Sequence, residues 1–216
     1  MALRTGFDNI HERIARAAES VGRDPSSVTL IAVTKTVDIA LIREAYDLGH
    51  RDFGESRLQE ALPKIELLPP DVRWHFIGKL QSNKAKRAGD VFQVIHTLES
   101  EQQLRELSKA GREVDGLIEV NSGGEEQKSG ISSDSLVEFA KTVVQYPLVR
   151  LRGLMTVGPL HPNAEFMRPF FRELRELGQG FEGQWLSMGM SNDFEVAIQE
   201  GSTHVRVGSA LFGARS

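Results

Sequence analysis

Lys35 is the residue of this chain whose position most clearly allows chemistry. It follows the run Thr29-Leu30-Ile31-Ala32-Val33-Thr34, which has the length and β-branched content of a strand covered on both faces. In α/β folds, ligands and catalytic groups lie at the carboxyl ends of such strands. A partly desolvated lysine there offers a free amine that can attack a carbonyl carbon. A solvated lysine at a strand end is the alternative interpretation of the same pattern.

A second group of candidate residues lies near the end of the chain and could bind an anion. Segments 187–193 and 204–209 each follow or end a predicted strand, and they contain Ser191, Gly208 and Ser209. In barrels, the loops after strands seven and eight often bind a phosphate through backbone N–H groups. Glycine permits close approach of the backbone, and serine adds a hydroxyl donor. Taken singly, Ser191 could instead be the N-cap of a helix beginning near residue 192, and Gly208 a turn residue.

Arg206 is a candidate for an interior cation. It alternates with Val205 and Val207, so its side chain faces the barrel interior if the valines face the helices. A buried guanidinium without a partner is costly. We therefore expect Arg206 to meet a ligand or a carboxylate, the latter in a structural ion pair.

A repeating pattern of strands and helices must position these residues. Eight apolar or β-rich runs are predicted strands, at 29–34, 52–54, 73–77, 94–98, 116–120, 151–157, 185–188 and 204–207. A helical pattern lies between most of them, for example at 39–48, 102–109, 135–145, 166–177 and 194–200. Another amphipathic pattern, at 7–21, precedes the first strand and places Val21 on its apolar stripe.

Eight βα units predict an α/β fold, a single (β/α)₈ TIM-type barrel with an extra N-terminal helix. We expect residues 1–216 to form this one domain, because no Pro/Gly/Ser-rich linker divides the chain. A doubly wound sheet would give a similar periodicity, and the number of strands favours the barrel.

Composition narrows the class of partner. The chain has 26 basic and 30 acidic residues and a formal charge of -4, which gives no general attraction to nucleic acid or anionic membranes. It has no cysteine, which excludes disulfides and thiolate ligands, and its histidines show no paired metal-ligand spacing. No apolar run approaches membrane-spanning length, and residues 1–20 lack the core of a signal peptide. We expect a soluble cytoplasmic protein that binds small molecules.

One glycine-rich segment superficially resembles a phosphate-binding P-loop but is not interpreted as one. The segment Gly123-Gly124-Glu125-Glu126-Gln127-Lys128-Ser129 has Gln127 where a P-loop needs a glycine, and its two acids would repel a triphosphate. It is interpreted as a mobile loop. Its Lys128 either gates the site or is simply solvated.

Several short motifs together resemble one protein family. They are Ala32-Val33-Thr34-Lys35-Thr36, Phe53-Gly54-Glu55, Trp74-His75-Phe76-Ile77-Gly78, Leu80-Gln81-Ser82-Asn83-Lys84, Lys128-Ser129-Gly130, Arg152-Gly153-Leu154-Met155-Thr156, Ser187-Met188-Gly189-Met190-Ser191 and the segment 204–213. In this order, over nearly the whole chain, the sequence resembles the pyridoxal phosphate homeostasis proteins. Each motif alone is weak, and the combination is specific.

The resemblance implies a barrel like the amino-terminal domain of alanine racemase, with pyridoxal 5'-phosphate (PLP) bound as a Schiff base. By position, Lys35 would form the Schiff base and Arg206 would face the pyridine nitrogen. The residues that would hold the phosphate are Ser191, Gly208 and Ser209, together with the backbone of Met190.

The resemblance also implies a role in keeping PLP and amino-acid pools in balance. An arginine at the pyridine nitrogen disfavours its protonation and so weakens the ring as an electron sink. Alanine racemase takes a tyrosine from a second domain, whereas this chain stops at Ser216, and its Tyr46 and Tyr146 fall within or at the end of predicted outer helices. We therefore expect a PLP carrier, a monomer or weak dimer that serves PLP-dependent apoenzymes, rather than an enzyme.

Two alternatives stay open at this point. One is an amino-acid racemase or another PLP-dependent enzyme of the alanine racemase fold. The other is a Schiff-base aldolase that acts on a sugar phosphate without a cofactor.

Three positions depart from the family's pattern. Ser56 stands where the family commonly has asparagine, Val37 replaces a second lysine of some members, and Lys79 occupies a variable position. These departures concern peripheral polar contacts rather than the Schiff base. Ser56 would remove a hydrogen bond near the cofactor.

Overall fold

The strands close into a parallel barrel. The structure, a computed structural model, describes residues 2–123, 129–159, 161–181 and 184–213, so Lys128 lies outside the described residues. Each strand pairs with its neighbour in the chain, and β8 pairs with β1 to complete the barrel. The strands β1 to β8 are Thr29–Val33, Asp52–Glu55, Arg73–Phe76, Val94–Leu98, Val114–Glu119, Val149–Met155, Trp185–Met190 and His204–Val207. The predicted TIM-type barrel is confirmed.

Helices cover the outside of the barrel. In the described ranges, α1 to α9 are Ala2–Glu19, Ile39–Asp47, Leu58–Leu67, Ser82–Val91, Glu101–Leu107, Leu136–Val143, Arg168–Gly178, Phe194–Gln199 and Ser209–Phe212. The signal for α3 in the sequence is weak because Pro63 lies inside this helix. None of the helices in the described ranges combines the length and the apolar character needed to span a bilayer.

The extra N-terminal helix is confirmed, with one correction. Ile10, Ile14, Ala17 and Ala18 are buried on one face of α1, which packs against α8 and α9. Val21 was placed on the same stripe, and this is wrong. The helix ends at Glu19, and the turn that follows leaves Val21 44% exposed.

The alternation of side chains along the strands separates two environments. Leu30 and Ala32 of β1 belong to the large core between the strands and the helices. Ile31 and Val33 face the barrel interior, where their side chains lie 2.9 Å and 3.7 Å from the position that a Cβ on Gly54 would occupy. Residues on the inner face of β1 therefore lead to the carboxyl end of the strand, where Lys35 follows.

Candidate functional site

Lys35 lies at the rim of the barrel formed by the carboxyl ends of the strands. β1 ends at Val33, so Lys35 is the second residue after the strand, and it is half-buried. It lines a cavity of 370 Å³ at this rim, which we call the rim cavity. This volume falls within the range of pockets that bind small ligands.

The backbone before Lys35 is held by a buried ion pair. The Lys64 ammonium donates to Glu55 Oε1 and to the Thr34 carbonyl oxygen, both at 2.7 Å. The Thr34 hydroxyl donates to the same Glu55 oxygen at 2.6 Å. The Glu55 side chain is fully buried and that of Lys64 is 13% exposed. The ion pair between β2 and α3, with its hydrogen bonds to Thr34, fixes the backbone where the chain leaves β1.

The rim cavity contains every residue that the sequence singled out for cofactor binding. Its lining includes Lys35, Met190, Ser191, Arg206, Gly208 and Ser209. Ser56 lines it as well, whereas Val37 lines a neighbouring cavity of 290 Å³ that Lys35 also borders. The structure thus brings the six residues together. Their roles as cofactor ligands stay predictions.

Ser191, which follows β7, forms a small cluster of donors with Gly208 and Ser209, which follow β8. The Gly208 N–H donates to Ser191 Oγ at 3.4 Å, and the Ser209 hydroxyl donates to the same oxygen at 3.2 Å. These are long contacts that an oxyanion could replace with shorter ones. A Cβ on Gly208 would lie 3.3 Å from the Cβ and the carbonyl oxygen of Val33, so this close approach favours glycine.

The alternative role of Ser191 as a helix N-cap is wrong. α8 begins at Phe194, and Asp193 occupies its N-cap position. Asp193 Oδ1 accepts the Met190 N–H at 2.6 Å. The Met190 amide, which the resemblance assigned to the phosphate, is therefore used within the protein, and Met190 contributes to the wall of the cavity.

Arg206 faces the barrel interior, as the alternation in β8 predicts. Its Nη1 donates to Ser187 Oγ at 2.6 Å and its Nη2 to the Thr156 carbonyl oxygen at 2.9 Å. Burial lowers the pKa of Arg206 to about 10, so the guanidinium stays charged at neutral pH. Among the described residues it forms no ion pair with a carboxylate, and it lines the rim cavity.

Two acidic residues, Glu119 and Asp193, influence the electrostatic potential at Arg206. Glu119, at the end of β5, is 7% exposed, and burial, reinforced by the nearby charge of Glu99, raises its pKa to about 7. Burial also raises the pKa of Asp193. Both carboxylates act on Arg206 through space and favour its charged form.

Other polar candidates lie outside the rim cavity. The Lys79 ammonium lies 3.7 Å from Glu99, and its side chain is 69% exposed. The Tyr46 hydroxyl donates to Asp71 and the Tyr146 hydroxyl to Glu101, both at exposed positions. These tyrosines lie in α2 and just after α6, as expected for outer packing residues.

The sequence did not identify three residues that act on Arg206, namely Ser187, Thr156 and Glu119. Each lies at or just after the end of a strand or faces inward along one, and alternation along β7 would have placed Ser187 inside. Nothing in its own strand, however, indicates that Ser187 meets Arg206, because the pairing of β7 with β8 decides that contact.

Comparison with known proteins identifies the class of domain. Residues 7–216 match the family model described as "Alanine racemase, N-terminal domain". Alanine racemase from Oenococcus oeni shares the fold at a TM-score of 0.69 and 17% identity, covering 99% of this chain and 57% of that chain. The barrel is thus an alanine-racemase-type domain.

Relatives of higher sequence identity identify the family within this class of domain. The pyridoxal phosphate homeostasis protein of Aquifex aeolicus is 44% identical over 220 residues, which cover 97% of this chain and 96% of that protein. PipY of Synechococcus elongatus PCC7942, solved with PLP bound, is 37% identical with a TM-score of 0.79, covering 93% of this chain and 100% of that chain. The chain belongs to the family of the pyridoxal phosphate homeostasis proteins.

Proposed function

We propose that this protein binds PLP in the rim cavity and holds it covalently through Lys35. The observation that carries the proposal is the meeting of an amine, a cluster of anion donors and an interior guanidinium in one cavity. The PLP-bound structure of PipY and the names of the curated relatives support the choice of ligand.

The covalent step is a condensation. The Lys35 amine attacks the aldehyde carbon of PLP, a C=N bond forms, and the aldehyde oxygen leaves as water. The reaction needs no oxidant or reductant. It is reversible, because water can hydrolyse the C=N bond and release the cofactor.

The remaining residues suit the other parts of PLP. The hydroxyl groups of Ser191 and Ser209 and the N–H of Gly208 are donors of the kind that bind phosphate. Arg206, which lines the same cavity, is proposed to face the pyridine nitrogen. A phosphate monoester, a carbonyl and an acceptor nitrogen thus each find a complementary group.

The proposed role is to hold and deliver PLP rather than to use it in turnover. A guanidinium at the pyridine nitrogen keeps that nitrogen unprotonated, which weakens the withdrawal of electrons that PLP enzymes exploit. We propose that the protein works in the cytoplasm, exchanges PLP with apoenzymes, and thereby balances PLP and amino-acid pools.

The purified protein tests this proposal directly. Incubated with PLP, it should turn yellow, and borohydride should reduce the C=N bond and leave a stable adduct that peptide mapping locates on Lys35. Failure to take up PLP, or an adduct on another lysine, would overturn the proposal.

Glu119 favours one competing function. Its pKa of about 7 lets it exchange a proton at neutral pH, as a racemase requires of one of its groups, and its charge acts on Arg206, which lines the rim cavity. A racemase would wash solvent deuterium into the α-position of a free amino acid. No exchange across the common amino acids would leave the carrier role.

A further inference from the structure

A line of polar side chains crosses the barrel interior from one end to the other. It begins at Arg206 and passes through Ser187, His96 and His75 to Asp52, the first residue of β2. The three contacts after Arg206–Ser187 are each 2.9 Å long: Ser187 Oγ to His96 Nδ1, His96 Nε2 to His75 Nδ1, and His75 Nε2 to Asp52 Oδ1. We call these five residues the axial chain.

The axial chain is shielded from solvent over most of its length. Ser187, His96 and His75 are fully buried, and Arg206 is 5% exposed. Only Asp52 reaches the outside, with 14% of its side chain exposed, and there it also binds Arg73. Nearby interior positions are apolar, such as Val94, Leu117 and Met155. Polar groups in such surroundings are costly unless every one is hydrogen-bonded.

The two ends of the axial chain determine where its hydrogens lie. A guanidinium only donates, so Ser187 Oγ accepts from Arg206 and is free to donate to His96 Nδ1. A carboxylate only accepts, so His75 Nε2 carries a hydrogen that it donates to Asp52. The link between the rings is then satisfied when His96 Nε2 donates to His75 Nδ1.

The electrostatics of the interior agree with this order. Burial lowers the pKa of both His75 and His96, so both rings are neutral at physiological pH. Burial alone would raise the pKa of Asp52, but hydrogen bonds from His75 and Arg73 lower it well below its usual range. One hydrogen per link, an anion at one end and a cation at the other make the axial chain polarised in a single direction.

We propose that Asp52, His75 and His96 are positioning residues for Arg206. Through the Ser187 hydroxyl, whose hydrogen they draw inward, they present a lone pair to Arg206 Nη1 and so hold the guanidinium at the rim cavity. That this guanidinium then meets the pyridine nitrogen of PLP rests on the proposed function. Residues at the opposite end of the barrel thereby set the protonation of the cofactor ring.

Substitutions of His96 test the axial chain on the loaded protein. His96→Phe keeps the ring volume and removes both nitrogens, whereas His96→Gln keeps one acceptor and one donor. The control is His204→Gln, because His204 is buried beside both histidines but bonds to Thr203 rather than to the axial chain. The readout is nitrogen NMR of PLP labelled at its ring nitrogen.

We expect an unprotonated ring nitrogen at neutral pH in the wild type and in His204→Gln. In His96→Phe the pKa of the ring nitrogen should rise by about one unit or more, since a displaced charge commonly has an effect of this size. His96→Gln should restore at least half of this change. A His96→Phe protein that matches the wild type would overturn the proposal.

Measurements on cofactor-free protein separate this proposal from the proposed function. In the wild type, nitrogen NMR of labelled histidine should show His75 and His96 as neutral rings protonated at Nε2. The Arg206 side-chain N–H signals should be protected from solvent exchange in the wild type and exposed in His96→Phe. A His96 ring protonated at Nδ1 would overturn the axial chain, whereas failure to bind PLP would overturn only the proposed function. If His96→Phe does not fold, Ser187→Ala breaks the same line with a smaller change.

Discussion

Charged side chains at the amino ends of the strands and Arg206 at their carboxyl ends have different kinds of partner. At the amino ends of the strands, Asp52 binds Arg73 and His75, Arg51 binds Asp71, and Arg150 binds Asp115. At the carboxyl ends, Arg206 contacts only a hydroxyl and a carbonyl oxygen among the described residues. At the amino ends these charges are paired within the protein, whereas the Arg206 guanidinium at the carboxyl ends borders the rim cavity. The difference indicates which end awaits an anionic ligand.

Lys35 and Lys64 both lie near the rim at the carboxyl ends of the strands, in different surroundings. Lys64 is paired with Glu55, and Lys35 lines the rim cavity. We expect removal of Lys64 to destabilise the fold and removal of Lys35 to abolish covalent binding of the ligand.

Lys35→Arg should abolish covalent trapping completely. Arginine keeps the positive charge but does not lose its proton at neutral pH, so it cannot attack the aldehyde. Borohydride reduction followed by mass spectrometry of the intact protein measures the adduct. Lys79→Arg, at an exposed lysine near the same rim, is the matched control and should trap as the wild type does. Full trapping in Lys35→Arg would contradict the assignment.

Lys64→Met should lower the free energy of unfolding by about 3–5 kcal/mol. It leaves the fully buried Glu55 carboxylate without its cation, and breaking a buried pair from one side has a cost of this order. Denaturant unfolding measures it. Lys79→Met removes an exposed pair and should change stability by less than about 1 kcal/mol. Equal effects at the two sites would show that burial does not distinguish them.

Ser191→Ala should weaken PLP binding roughly tenfold to a hundredfold, the effect of losing a hydrogen bond to a charged group. Equilibrium titration monitored by absorbance gives the affinity. Pyridoxal, which lacks the phosphate, is the matched ligand. It should bind the variant and the wild type equally, and an equal loss for both ligands would place the phosphate elsewhere.

Glu119→Gln should remove a pH dependence of stability. The pKa of Glu119 is raised to about 7 in the folded protein, so the folded state holds its proton more tightly than the unfolded state. Wild-type stability therefore falls as the pH rises from the unfolded pKa towards 7. The glutamine variant lacks this fall and should gain roughly 1–3 kcal/mol relative to the wild type by pH 8. Parallel stability curves for the two proteins would contradict the raised pKa.

The fold was largely predictable because its signal is local and repeated. Each strand is a short apolar run, and the alternation of Val205, Arg206 and Val207 was enough to direct Arg206 inward. The same logic placed Lys35 at a strand end. Errors arose where a boundary depends on tertiary contacts: Asp193, by occupying the N-cap position of α8, leaves Ser191 outside the helix.

The axial chain was not predictable from any one segment. His75 and His96 are 21 residues apart, and His96 and Ser187 are 91 residues apart. Their contacts depend on the register of several strand pairs and on closure of the barrel. The position of a histidine on a strand does not indicate its hydrogen-bond partner. Ser187 appears in the sequence only as the first residue of the motif 187–191, with no indication that it contacts Arg206.

A crystal structure of the protein soaked with PLP tests directly whether Lys35 binds the cofactor covalently in the rim cavity. We predict continuous electron density from Lys35 Nζ into the ligand, with the phosphate contacting Ser191, Gly208 and Ser209 and the ring nitrogen facing Arg206. Ligand density at the amino ends of the strands, or density in the rim cavity that is not joined to Lys35, would contradict it.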